Sequence, residues 1–207
     1  MKTHHLTATL TAAALAVALH AAPLSFDFKD PKGVNNIVFL IDAPLESING
    51  TATGITGKAT FDPENPAAVT GAISLDVKSL RVPNDTMQGH LAGERWMDAE
   101  KFPTITFEVT GASNVRKSGD STEADLTGNL TVKGTTRAIK VPGRLTFMKG
   151  KLKARGGSKV DGDLLVVRSS FSIKRSDYGI NAGQMLDKVT DDINLTLSVV
   201  GIAPYAE

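Results

Sequence analysis

Three kinds of side chain in this sequence could do chemistry: one histidine with basic neighbours, scattered carboxylates, and many hydroxyls. Of four histidines, His4, His5 and His20 fall in the first twenty residues and His90 stands alone in the body of the chain. There is no cysteine. A zinc centre built from His and Cys ligands therefore has almost nothing to draw on, and any Ser-His-Asp mechanism would have to run through His90. Ser, Thr, Asp and Glu are plentiful, but no nucleophile, base and orienting group stand out together, which argues against an enzyme. His90, Arg95 and Arg175 remain as groups able to hydrogen-bond or pair with a polar or anionic group, with Lys101 beside them. For His90 the alternative is a structural hydrogen bond near a helix end, and for the cations it is solvation or pairing with Glu94, Glu100 and Asp177.

These residues gather around one stretch, Asn84 to Phe107. Asp85 followed by Gln88 has the spacing of a capping box, and Met87, Leu91 and Arg95 recur at helical spacing, which predicts one short α-helix over about 85–97. Pro103 disfavours helix at Phe102, and Thr104 to Val109 then alternates polar and apolar. Elsewhere the signals are those of strands. Leu24 to Phe28 and Asn36 to Ile41 read as two, and Ser47 to Phe61 is Thr-rich with Gly50, Gly54 and Gly57, as a bending strand would be. Val69 to Ser79 places Ile73, Leu75 and Val77 on one face. Strands over 124–132, 138–148, 164–173 and 192–200 complete eight or nine, joined mostly by short turns with no βαβ alternation. The fold class expected is all-β: a single antiparallel barrel of about eight strands capped by one helix.

The N-terminus reads differently. Lys2 precedes an uncharged Ala/Leu/Val/Thr run from Leu6 to Leu19, and small residues follow at Ala21 and Ala22. This is the layout of a secretory signal peptide over residues 1–21, leaving one domain over 22–207 and a periplasmic or secreted location. Removing Lys2 from 23 basic residues leaves them equal in number to the 22 acidic ones. A chain with no net charge offers no electrostatic case for nucleic acid.

Three segments in order resemble the YceI-like family. His90-Leu91, Trp96-Met97-Asp98 and Lys101-Phe102-Pro103-Thr104-Ile105-Thr106-Phe107 are similar to its HL…F-D…Y-P-x-I-x-F signature. Leu126 to Gly134 resembles its L-x-G-x-L-T-h-x-G strand, and Arg175-Ser176-Asp177-Tyr178-Gly179-Ile180 its R-x-D-[FY]-G-[IM] turn. Where the family often has Arg-Asp before His-Leu, this chain has Met87-Gln88-Gly89. The resemblance implies a lipocalin-like barrel, exported to the bacterial periplasm, whose lumen holds a long isoprenoid such as a polyprenyl phosphate or a quinone. It implies no cofactor beyond that lipid and no known reaction.

An eight-stranded barrel has an interior just wide enough to be filled by its own side chains or to hold one small ligand. With only one Trp, two Tyr and eight Phe, and inner rows of Ile, Leu and Val, a hollow lumen is expected here. Its wall is predicted from Phe39, Ile73, Leu75, Val77, Leu91, Trp96, Ile105, Phe107, Val109, Phe171, Ile173, Leu195 and Leu197, with His90 among the ligand contacts and His90, Arg95 and Arg175 as head-group candidates. The competing expectation is an envelope protein with a packed barrel and no ligand. Partners expected are the lipid, a membrane or membrane-protein donor, and a second copy of the chain if unclosed barrel edges pair between chains.

Overall fold

From Thr122 to Val132, every second residue is buried and those between are half-buried. That period of two is the expected one, because successive side chains of a strand point to opposite faces and only one face meets the core. The computed structural model describes residues 22–156 and 158–206. The segment read as a signal peptide lies outside them. The strands are β1 (Leu24–Asp27), β2 (Asn36–Asp42), β3 (Ser47–Ala52), β4 (Ile55–Phe61), β5 (Thr70–Asp76), β6 (Thr104–Ser118), β7 (Ser121–Val132), β8 (Thr135–Met148), β9 (Gly162–Lys174) and β10 (Asp192–Pro204). Helix α1 is Asp85–Ala92, and a single helical turn not anticipated from sequence, α2, is Leu152–Arg155.

All pairings are antiparallel, and the order β1-β4-β5-β6-β7-β8-β9-β10 returns to β1 through Asp27 opposite Ile202. Ten strands make an eight-membered ring because two of its members are broken. β1 and β2 both run antiparallel to β10, and β3 and β4 run antiparallel to β2 and β1, so β1–β2 and β3–β4 each form one wall strand. The loop between β1 and β2 is held by Asp30, which accepts from the amides of Lys32, Val34 and Asn35 and pairs with Arg155 of α2 at 3.1 Å. One chain thus completes the ring without a second copy. β7 and β8 turn through Lys133 and Gly134, both at positive φ (47° and 73°), the tight turn whose twist suits a hairpin.

The lower end is packed shut. Phe26, Phe28, Phe61, Leu165 and Val199 are almost fully buried there, with Phe147 edge-on to Phe26 at 6.3 Å between ring centroids. The upper end carries the β7–β8 turn, the 77–103 segment with α1, and the 175–191 loop.

Three expectations need correcting. The helix ends at Ala92 rather than near 97. Gly93 leaves helical geometry, and the chain doubles back so that Met97 and Ala99 donate to the carbonyls of Leu91 and Ala92. Its cap is Asn84, whose side chain accepts from the Met87 amide at 2.9 Å; Gln88 instead accepts from Val82 and donates to Leu80. The row Ile73, Leu75, Val77 also stops one residue early. Asp76 ends β5, its carboxylate accepting from the Lys78 amide at 2.8 Å, and Val77 opens a 3₁₀ turn.

Candidate functional site

Along β10 the inner row grades from half-buried at Ile193, Leu195 and Leu197 to fully buried at Val199. β9 repeats the gradient, from half-buried Ile173 and Phe171 to buried Val167 and Leu165. β6 does the same from Ile105 and Phe107 to Val109. The same side of three strands loses its packing partners towards one end because the upper half of the barrel is hollow.

The hollow has a volume of about 220 Å³. That is an order of magnitude above the ~10–15 Å³ that one water needs, and its wall is almost wholly apolar. The barrel contributes Phe39 from β2, Ile73 and Leu75 from β5, Ile105, Phe107 and Val109 from β6, Phe171 and Ile173 from β9, and Ile193, Leu195 and Leu197 from β10. From the lid come Leu91 and Trp96, together with Leu80, Met97 and Ile180. Phe39 lies flat across Gly50, the residue opposite it on β3, where a Cβ would stand 2.0 Å from the ring. A glycine in mid-strand, costly in itself, is what gives the ring its place on the wall.

Three polar side chains touch the hollow, and the described structure satisfies each. The Ser74 hydroxyl lies 3.2 Å from that of Thr106, and Ser169 donates to the Pro142 carbonyl. Arg175 is fully buried. Its guanidinium donates to the carbonyls of Thr190, Ile180 and Val189 at 2.9–3.0 Å and also to those of Asn181 and Gln184, while stacking over the Trp96 ring at 5.9 Å. Burial weakens its hold on its proton relative to an ordinary arginine, opposed by Asp191 nearby. The Arg175 donors are spent on the 175–191 loop, so Arg175 closes the lid rather than offering a free cation to a head group.

The other head-group candidates stand apart. His90 is exposed in the last turn of α1, off the wall, and its carbonyl accepts from Gly93. Arg95 is exposed, and its carbonyl accepts from the Asn181 amide at 3.0 Å, tying the two lid segments together. Val77 is buried but off the wall, because the turn after Asp76 carries it out of the inner row. Sequence reasoning passed over Leu126, Leu130 and Val132 of β7 and Ile139 and Val141 of β8, all on the wall. Their alternation in Leu126 to Val132 was the signal that could have found them. Among the described residues no group of His, Asp and Glu is arranged to hold a metal ion, and no helix is long and apolar enough to cross a membrane.

Comparison with known proteins agrees with this geometry. A protein of Pseudomonas aeruginosa described as a UPF0312 protein is 32% identical over 199 residues, covering 94% of this chain and 97% of its own length. A protein named YceI from Salmonella newport is 29% identical over 74% of this chain and 73% of its own length. Among solved structures, Burkholderia cenocepacia BcnA superposes with a TM-score of 0.64 at 21% identity, over 80% of this chain and 95% of its own. A polyisoprenoid binding domain from Saccharophagus degradans gives 0.63 at 12% identity, over 88% and 99%. The YceI-like domain family matches residues 32–201, from the loop below β2 to the lower end of β10, and this chain belongs to it.

Proposed function

We propose that this protein is a non-catalytic carrier that holds the apolar chain of an isoprenoid lipid, of the quinone or polyprenyl phosphate type, in the upper half of its barrel. The observation that carries the reading is the hollow of about 220 Å³ with satisfied polar groups on an otherwise apolar wall. Such a wall recognises length and greasiness rather than charge, with each buried methylene contributing roughly 0.8 kcal/mol. The Saccharophagus neighbour, described as binding polyisoprenoids, supports the same ligand class. The N-terminal layout of Lys2, an uncharged run and small residues supports the reading that the carrier is exported and works in the periplasm or outside the cell, with residues 22–207 as the working domain. Leu45, Met185 and Leu186 stand exposed by half or more on the upper rim, joined by the Leu45 amide bonded to the Asp187 carbonyl, and this supports loading at a bilayer surface.

The test is native mass spectrometry of the protein purified from its host, followed by solvent extraction. A bound prenyl lipid that raises the melting temperature when added back is the expected result. A protein that is empty as purified, and unmoved by added prenyl lipids, overturns the reading in favour of an envelope protein that carries nothing.

A further inference from the structure

The wall of the barrel is not hydrogen-bonded all the way up. β8 and β9 pair from Met148 opposite Leu164 to Arg144 opposite Arg168, and there the ladder stops. Yet β8 continues upward to Thr135, paired throughout with β7, and β9 continues to Lys174, paired throughout with β10. The stop coincides with Pro142, which has no N–H to offer a neighbour. Ser169, near the end of the ladder, donates to the Pro142 carbonyl with its side chain instead. Above it a seam opens between residues 138–141 and 170–173, spanned near the top by Arg137 donating to the Asp177 carbonyl at 3.1 Å and Lys133 to the Gly179 carbonyl at 3.3 Å.

A surface cleft lies on this seam, and Ile139 and Ile173 line both the cleft and the hollow. The cleft and the lumen therefore lie on either side of the same two side chains. The seam's character is opposite to that of the lumen, because each unpaired edge presents peptide N–H and C=O groups that need partners. The charged side chains that line the cleft itself balance, Arg137 and Lys174 against Asp177 and Asp192, with Lys174 and Asp192 paired at 3.0 Å.

Resting on the carrier reading, we infer that the β8–β9 seam is the head-group site of the lipid: an uncharged polar head sits between the two strand edges while its tail passes Ile139 and Ile173 into the hollow. Unpaired peptide groups can donate to and accept from a hydroxyl or ring carbonyl, and the balanced charges give no preference to an anion. Among the described residues the polar side chains on the lumen wall are all partnered, whereas the seam edges carry unpaired peptide groups.

Amide hydrogen exchange on the full chain tests this, with farnesol and farnesyl phosphate as probes of one tail and two heads, and with binding of each first read by native mass spectrometry. We expect farnesol to slow the seam-facing amides, those of Ala138 and Lys140 on β8 and of Ser170 and Ser172 on β9, by roughly tenfold or more, as one added hydrogen bond per group would, and at least as strongly as farnesyl phosphate does. Bound farnesol that protects only the 77–103 and 175–191 segments overturns the seam assignment and leaves the carrier reading standing. Protection by farnesyl phosphate alone overturns the uncharged head. Seam amides that become protected as the lipid-free protein is concentrated would assign the edges to a second copy of the chain and overturn the inference. Failure of both probes to bind removes the carrier reading itself.

Discussion

Asn35 and Val200 are bonded as two facing strand residues would be, although Asn35 belongs to no strand and uses its side chain. Its amide nitrogen donates to the Val200 carbonyl at 3.1 Å and its amide oxygen accepts from the Val200 N–H at 2.9 Å, while the same nitrogen reaches the Phe28 carbonyl at 3.1 Å. The side chain thereby splices the gap between β1 and β2, where β10 would otherwise face no partner. Asn35 is 1% exposed, so its loss would leave those peptide groups dry and unpaired. Asn35→Ala should lower stability by about 2–4 kcal/mol in denaturant titrations, at ~1–3 kcal/mol per orphaned group. A loss under about 1 kcal/mol would show that water takes over the splice.

Arg175 separates a structural from a ligand role. Arg175→Lys keeps the charge but cannot fan donors to five carbonyls. We expect it to cost about 3 kcal/mol and to speed hydrogen exchange throughout 176–190. Full stability of the lysine variant with altered affinity for farnesyl phosphate would place Arg175 in head-group recognition instead.

Gly50 keeps Phe39 on the wall. Gly50→Ala puts a methyl where the ring lies and should push the ring into the hollow, costing about 1–3 kcal/mol and weakening binding of a prenyl probe together. Stability and affinity measured on the same preparation check the coupling, and unchanged affinity would mean that the ring escapes outward.

Filling the hollow should uncouple binding from folding. Leu197 is half-buried because part of its surface faces open space, so Leu197→Trp has room to enlarge inward. We expect farnesol affinity to fall at least about tenfold, with a stability change below the ~1–3 kcal/mol of overpacking a filled core. Binding that persists at full strength would place the chain outside this hollow.

Acid should loosen the β1–β2 loop. Burial alone would raise the Asp30 carboxyl, but the amides of Asn35, Val34 and Lys32 and the Arg155 guanidinium together outweigh it and hold it below the ordinary value. A carboxyl depressed by folding contributes stability fully present above its unfolded value, near ~3.9, and lost as pH falls through the folded one. Tm should therefore drop steeply below about pH 4. Asp30→Asn should be less stable at neutral pH and flatten part of that acid limb; Asp191, depressed by its bonds from Ser176 against the rise from burial, accounts for another part.

Read along the chain, the period-two rows determined the barrel. Leu195 and Leu197, Ile105 and Phe107, and Ile73 and Leu75 share a face in any extended strand, so the wall was legible before any pairing was known. The breaks were not. Nothing local in Asp30 to Asn35 shows that β1 and β2 form one wall strand, because the bonds that make them so come from Val200 and Arg155, more than a hundred residues away. Arg175 has the look of a free cation in sequence, and only the folded 175–191 loop turns its donors onto carbonyls. The hollow itself was open in both directions. Ile, Leu and Val line packed and empty barrels alike, and whether they meet across the axis depends on ring size, on the Phe cluster at the lower end, and on a lid held above the upper end. Those are distances between distant parts of the chain, which only tertiary structure sets.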